Sequence, residues 1–368
     1  MKQQKDMLSG IQLAILTISA IMGVGFMSLP AKAIEKMASG GVILTFVTGL
    51  ITLLFTSVIA YLGSLFPGQT VLDYSKKLVG KLGSKIINGI LFIYFIGVAS
   101  IVVRIFAVTV NMFLLEKTPT EIIIGTILVL SAYLVQNGIN PLARICEAFL
   151  PIVIIALGIL TVVSLTIFDI RELYSFWQID ILTLLKEIPS VMLAYLGFEV
   201  LFFAGAFAAR PKKLITYSAV AIVFCITLFT LTTAISIGVF GIDKLKYSPY
   251  PTLEMARAIS FPGVFGERFD ILFAVPWIFN IFTTISIFYY LATYNVTRLV
   301  GLKNYRPFSY LILPLIYLLS LIPQDIGEVN KYSIWVSYLG VAVVVTVPGI
   351  LLVIALIRKK GEKKSEKV

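Results

Sequence analysis

The chain has 368 residues, 59% of them hydrophobic and 13% charged, with a mean hydropathy of +0.98. Soluble domains are about 45–50% apolar, so this composition excludes a soluble globule and indicates a polytopic membrane protein. The formal charge of +11 does not point to nucleic acid, because the bases are spread over short loops and the terminal run Arg358-Lys359-Lys360-Gly361-Glu362-Lys363-Lys364, where they report orientation.

The first apolar run extends from Leu8 to about Ile34, behind Lys2 and Lys5. Ala31-Lys32-Ala33 imitates a cleavage site, but a signal peptide has an apolar core of only about 7–15 residues, so we take the run as a retained first span. Within it lies Ile21-Met22-Gly23-Val24-Gly25-Phe26-Met27-Ser28-Leu29-Pro30. Two glycines and a proline are ill suited to a continuous helix. Backbone opened at membrane depth is tolerated only where protein or a water-filled cavity satisfies the freed groups. A broken helix lining a binding site is one reading; glycines that let helices pack closely are the other.

Ten spans are expected, over about 8–34, 40–65, 86–115, 121–138, 145–168, 188–209, 214–240, 269–300, 307–323 and 333–357, as one membrane domain with a basic tail at 358–368. Most of the 30 bases fall on segments that are cytoplasmic if both termini are, which sets that orientation.

Span three carries Tyr94 and Val98 one turn apart, beside Gly97, Ala99 and Ser100, and further on Arg104. Span six contains Leu196-Gly197-Phe198-Glu199-Val200, a mid-span glycine followed by a carboxylate. Interrupted segments at corresponding places in two halves point to a site built from inverted repeats, and spans one and six correspond in a five-plus-five arrangement. Arg104 and Glu199 are intramembrane charges that need partners or water. Each is the obvious partner of the other, with helix locking as the plainer role. Span eight adds Asn280, Thr283, Thr284 and Ser286, and Leu253–Ile259 is expected as a short helix at the outer mouth, either a lid or an interfacial helix.

Histidine is absent, and Cys146 and Cys225 lie in separate apolar segments without CxxC spacing, so no metal site, cofactor or disulfide framework is implied. With no nucleophile–base pair legible, an enzyme is not expected.

Gly23-Val24-Gly25 with Leu29-Pro30 resembles the first-helix signature of the amino acid–polyamine–organocation transporter superfamily. A more specific resemblance, to the endospore germination permease family, the B subunits of spore germinant receptors, runs nearly the whole length. It rests on Met22–Pro30, Gly97-Val98-Ala99-Ser100 with Arg104, Phe113-Leu114-Leu115-Glu116-Lys117-Thr118-Pro119, Leu196–Val200, and Glu267-Arg268-Phe269 with Trp277 and Phe282-Thr283-Thr284.

The resemblance implies an all-α, LeuT-like 5+5 inverted repeat with helices 1 and 6 broken, in the inner membrane of a spore. It implies partnership with an A subunit and a lipoprotein C subunit, and a small germinant, often an amino acid, bound by Gly23, Val24, Gly25, Tyr94, Val98, Leu196, Gly197 and Thr284. The alternative is a secondary active amino-acid permease of the same superfamily. Some proton-coupled relatives use a fifth-span lysine, and span five here has none.

Overall fold

The computed structural model describes residues 7–23, 25–177, 180–245, 248, 250–258, 270–302 and 304–358. These are almost entirely helical, and no strand occurs among them. Among the described residues seven helices, or eight with one bent pair, are long and apolar enough to cross a membrane; Gly10–Met22 and Arg306–Leu321 are shorter apolar helices.

In chain order the helices are α1 Gly10–Met22, α2 Gly25–Met37, α3 Gly41–Leu65, α4 Val71–Phe113, α5 Thr120–Asn137 and α6 Ile139–Ser164. There follow α7 Ile181–Met192, α8 Leu201–Ala204, α9 Leu214–Leu245, α10 Pro251–Ala258, α11 Asp270–Leu299, α12 Arg306–Leu321 and α13 Ile326–Ile357. The expected first span is thus two helices. The third expected span is the later part of α4, which begins 15 residues before residue 86, at Val71, and turns at Gly80 (φ 79°). The short helix expected over 253–259 is α10. Glu267-Arg268-Phe269 and most of the basic tail lie outside the described residues.

Burial follows the apolar stripes. In α11, 78% of the most apolar window is buried, against 28% in α6, which makes α11 a central helix and α6 a peripheral one. Ile152, Ile155, Ile159 and Val162 of α6 are exposed at spacings of three and four, the face a helix turns to one side. In water such a stripe is a liability; against lipid tails it is the natural outer surface.

The start of α1 is fixed locally and to the second broken span. Ser9 caps α1 through a capping box with Gln12, which closes two of the four open N–H groups of its first turn. Just before it, the Leu8 N–H donates to the Phe207 carbonyl at 2.7 Å and the Ala209 N–H to the Leu8 carbonyl at 2.9 Å. The entry to the first broken span is therefore tied to the exit from the second.

Candidate functional site

The first break lies between Met22 and Gly25, with Val24 outside the described residues. Ending α1 leaves its last carbonyls without intrahelical donors. One of them is supplied from the central helix: the Thr284 hydroxyl of α11 lies 2.7 Å from the Ser19 carbonyl and 3.1 Å from its own Asn280 carbonyl. On the other side of the break, Pro30 has no N–H to give the carbonyl four residues back. That carbonyl, Phe26, accepts instead from the Thr252 hydroxyl of α10 at 3.3 Å. Both breaks in hydrogen bonding are thus closed by side chains from other helices.

The second break follows α7. A tight turn at Leu193–Tyr195 leads to Leu196 in an extended conformation and to Gly197 at φ 134°, and the axis bends by 61° before Phe198–Phe207. The positive φ requires glycine. Glu199 then folds back on the break: the Gly197 N–H donates to Oε2 at 2.7 Å, and the Tyr94 hydroxyl of α4 donates to Oε1 at 2.5 Å. Tyr94 and Glu199 are both fully buried. The carboxyl therefore closes an opened N–H locally and holds α4 to the turn.

Arg104 takes no part in this. Its guanidinium donates to the Gln324 carbonyl at 3.1 Å, between α12 and α13, and lies 3.4 Å from the Thr120 hydroxyl at the start of α5. The expected Arg104–Glu199 pair is therefore corrected. Position along a helix axis fixes depth and not direction, and each charge finds nearer partners. The long arginine stem reaches loop groups at the end of the bundle, while the glutamate is occupied by its own turn and Tyr94.

Between the two breaks lies a cavity of about 530 Å³, within the range of small-molecule sites. The broken spans contribute Ala20, Ile21, Gly25, Leu193, Ala194 and Leu196. One face of α4 contributes Tyr94, Val98, Ile101, Val102 and Ile105, and α11 adds Thr284 and Phe288. The side away from α1 is formed by Ser28 and Lys32 of α2, Tyr250, and Asn330, Ser333 and Ser337 of α13.

Of the eight residues expected to contact a ligand, Gly25, Tyr94, Val98, Leu196 and Thr284 line this cavity. Gly23 and Gly197 do not. A side chain at Gly23 would overlap the Thr284 side chain, and one at Gly197 would come within 2.6 Å of the Ala20 carbonyl carbon. These two glycines let helices approach each other, the packing reading of the sequence. Gly25 does both, lining the cavity while facing the Ala194 carbonyl oxygen too closely for any Cβ.

The whole of the α13 contribution was missed. Asn330, Ser333 and Ser337 stand at i, i+3 and i+7, a stripe of uncharged polar residues that was legible as one face of the helix. Gly340, one turn on, packs against Leu196 and Tyr94; a Cβ there would lie 2.6 Å and 2.7 Å from their side-chain carbons.

The model of the family described as "Spore germination protein" matches residues 7–329. The chain belongs to that family. Among relatives, spore germination protein YndE of Bacillus subtilis (strain 168) is 29% identical over 96% of this chain and 97% of that protein. Spore germination protein A2 of the same organism is 28% identical over 98% of each, and spore germination protein GerLB of Bacillus cereus is 25% identical over 93% and 92%. The fold is similar to the crystal structure of MhsT in complex with L-phenylalanine, with a TM-score of 0.67 and 14% identity over 94% of this chain and 98% of MhsT. That likeness establishes the LeuT-like all-α architecture. The family match spans both breaks and every cavity residue from Ala20 to Phe288; the α13 stripe begins just beyond it.

Proposed function

We propose that this chain is the germinant-binding B-type subunit of a spore germinant receptor, and that the germinant, a small molecule such as an amino acid, occupies the cavity between the two breaks. The observation that carries the reading is the convergence of both interrupted segments on one cavity. The open N–H groups at the start of α2 suit a carboxylate, and the carbonyl ends of α1 and of the Leu193–Tyr195 turn suit an ammonium. Tyr94, Thr284 and Leu196 then set orientation and size. The subunit acts with an A subunit and a lipoprotein C subunit in the spore inner membrane, with both termini cytoplasmic. No chemical conversion of the germinant is part of this role.

A second reading, an amino-acid permease working alone, is favoured by the likeness to MhsT in complex with L-phenylalanine. Deleting the gene in the spore former and assaying germination against amino acids, sugars and nucleosides separates the two. The receptor role predicts loss of the response to one germinant with normal vegetative uptake. Normal germination with reduced amino-acid uptake overturns it in favour of the permease.

A further inference from the structure

Lys32 stands in the cavity wall, and the charge that acts on it is Glu35, one turn further on. It lies seven residues beyond Gly25 on α2, roughly 10 Å along the axis at 1.5 Å per residue. Because helical side chains lean toward the helix N-terminus, its stem is directed back over Ser28, toward the broken segment. All three residues line the same cavity.

Among the described residues the Lys32 ammonium makes neither a hydrogen bond nor an ion pair. Glu35, the acid one turn further on, closes its ion pair on Lys36 at 3.3 Å. Among the described residues Lys32 and Glu35 are the charged side chains of the cavity wall, and between Lys32 and the breaks that wall is largely apolar, with Val98, Ile101 and Val102. An ammonium in a membrane span is costly and is kept where it meets water or an opposite charge. Helix packing gives no reason for one here.

We propose that Lys32 is an anion subsite of this cavity, so that the ligand is a small organic acid carrying a carboxylate beyond the group held at the broken helices, an acidic amino acid being the simplest such molecule. The proposal rests on the reading of the cavity as the germinant site and narrows its ligand class. A carboxylate one side chain away from the amino-acid head group is placed to reach the lysine, whereas an amide of the same length offers it only a neutral acceptor and an alkyl side chain none.

The test uses the full-length chain purified in detergent micelles, with L-glutamate and its neutral isostere L-glutamine as probes and ligand-induced thermal stabilisation as the readout. Wild type is expected to bind glutamate more tightly than glutamine. Lys32→Gln is expected to weaken glutamate roughly tenfold or more, the worth of one charge-assisted contact, and to weaken glutamine much less, with Lys32→Arg restoring the preference. Retained glutamine binding shows that the Lys32→Gln protein is folded.

Equal affinity for the two probes in wild type, a glutamate preference that survives Lys32→Gln, or binding of neither probe overturns the proposal. Val98→Trp, which fills the cavity, separates this from the reading beneath it. If it abolishes binding while Lys32→Gln changes nothing, the cavity stands and the anion subsite falls. If glutamate still binds to Val98→Trp, the site is elsewhere and both fall.

Discussion

Replacing Tyr94 by Phe removes one hydroxyl from a contact whose partners are both buried. That hydroxyl is 2.5 Å from Glu199 Oε1, while the Gly197 N–H holds Oε2 at 2.7 Å. Without it one oxygen of a fully buried carboxyl loses its donor, which costs about 1–3 kcal/mol. Glu199→Gln acts differently, because an amide offers a single acceptor oxygen to the two donors and turns its own N–H groups toward one of them. If the amide oxygen stays on Gly197, the amide NH2 faces Tyr94, whose hydroxyl oxygen accepts from it while its own proton loses the carboxylate, so Tyr94→Phe in that background removes a weaker contact than in wild type. The two substitutions are therefore expected to be non-additive, with a coupling energy of about 1 kcal/mol or more. The measurement is SDS-driven unfolding of the purified full-length chain in mixed micelles, run as a double-mutant cycle. Additivity to within about 0.5 kcal/mol would refute the account of Glu199 as the clasp between α4 and the second break.

Other consequences follow from the same geometry. Thr284→Val takes the donor from the Ser19 carbonyl at the end of α1 and alters the cavity wall; stability should fall by about 1 kcal/mol, and the half-maximal germinant concentration in spores should rise at equal subunit level. Gly197→Ala places a Cβ at φ 134° and against the Ala20 backbone, where strain of about 1–3 kcal/mol adds to the overlap. The expected result, read by immunoblot of spore membranes, is loss of the subunit, and normal abundance would contradict the packing role. Arg104→Lys replaces a planar fork by a point charge that cannot hold both the Gln324 carbonyl and the Thr120 hydroxyl; it should lower thermal stability in micelles and leave the germinant concentration dependence of the surviving subunit unchanged.

Much of this was legible in the sequence for a simple reason: backbone breaks are written in the residues that cause them. Gly23, Gly25 and Pro30 announced the first interruption, and Gly197 beside Glu199 the second. What closes each break is not local. Thr284 lies 265 residues from Ser19, and Thr252 lies 226 from Phe26, so no window of sequence connects them. The glycines were ambiguous for the same reason, since Cβ-free backbone serves a ligand and a neighbouring helix equally well. Arg104 and Glu199 pair in the sequence only as the two intramembrane charges, and the direction each side chain takes around its helix shows that one serves the end of the bundle and the other the second break. The inner stripe of α13 was readable from its spacing, whereas Lys32 stands out in the sequence only within Ala31-Lys32-Ala33, because nothing nearby shows that α2 turns it toward the cavity.

The central claim is that the germinant occupies the space against Val98, midway along the α4 face. Spores carrying Val98→Ala and Val98→Phe at normal subunit abundance, tested with germinants graded in side-chain size, measure it directly. An enlarged cavity should extend the response to bulkier germinants, and a filled one should raise the half-maximal concentration for the native germinant or abolish the response. Identical dose–response curves for wild type and both variants would contradict the account.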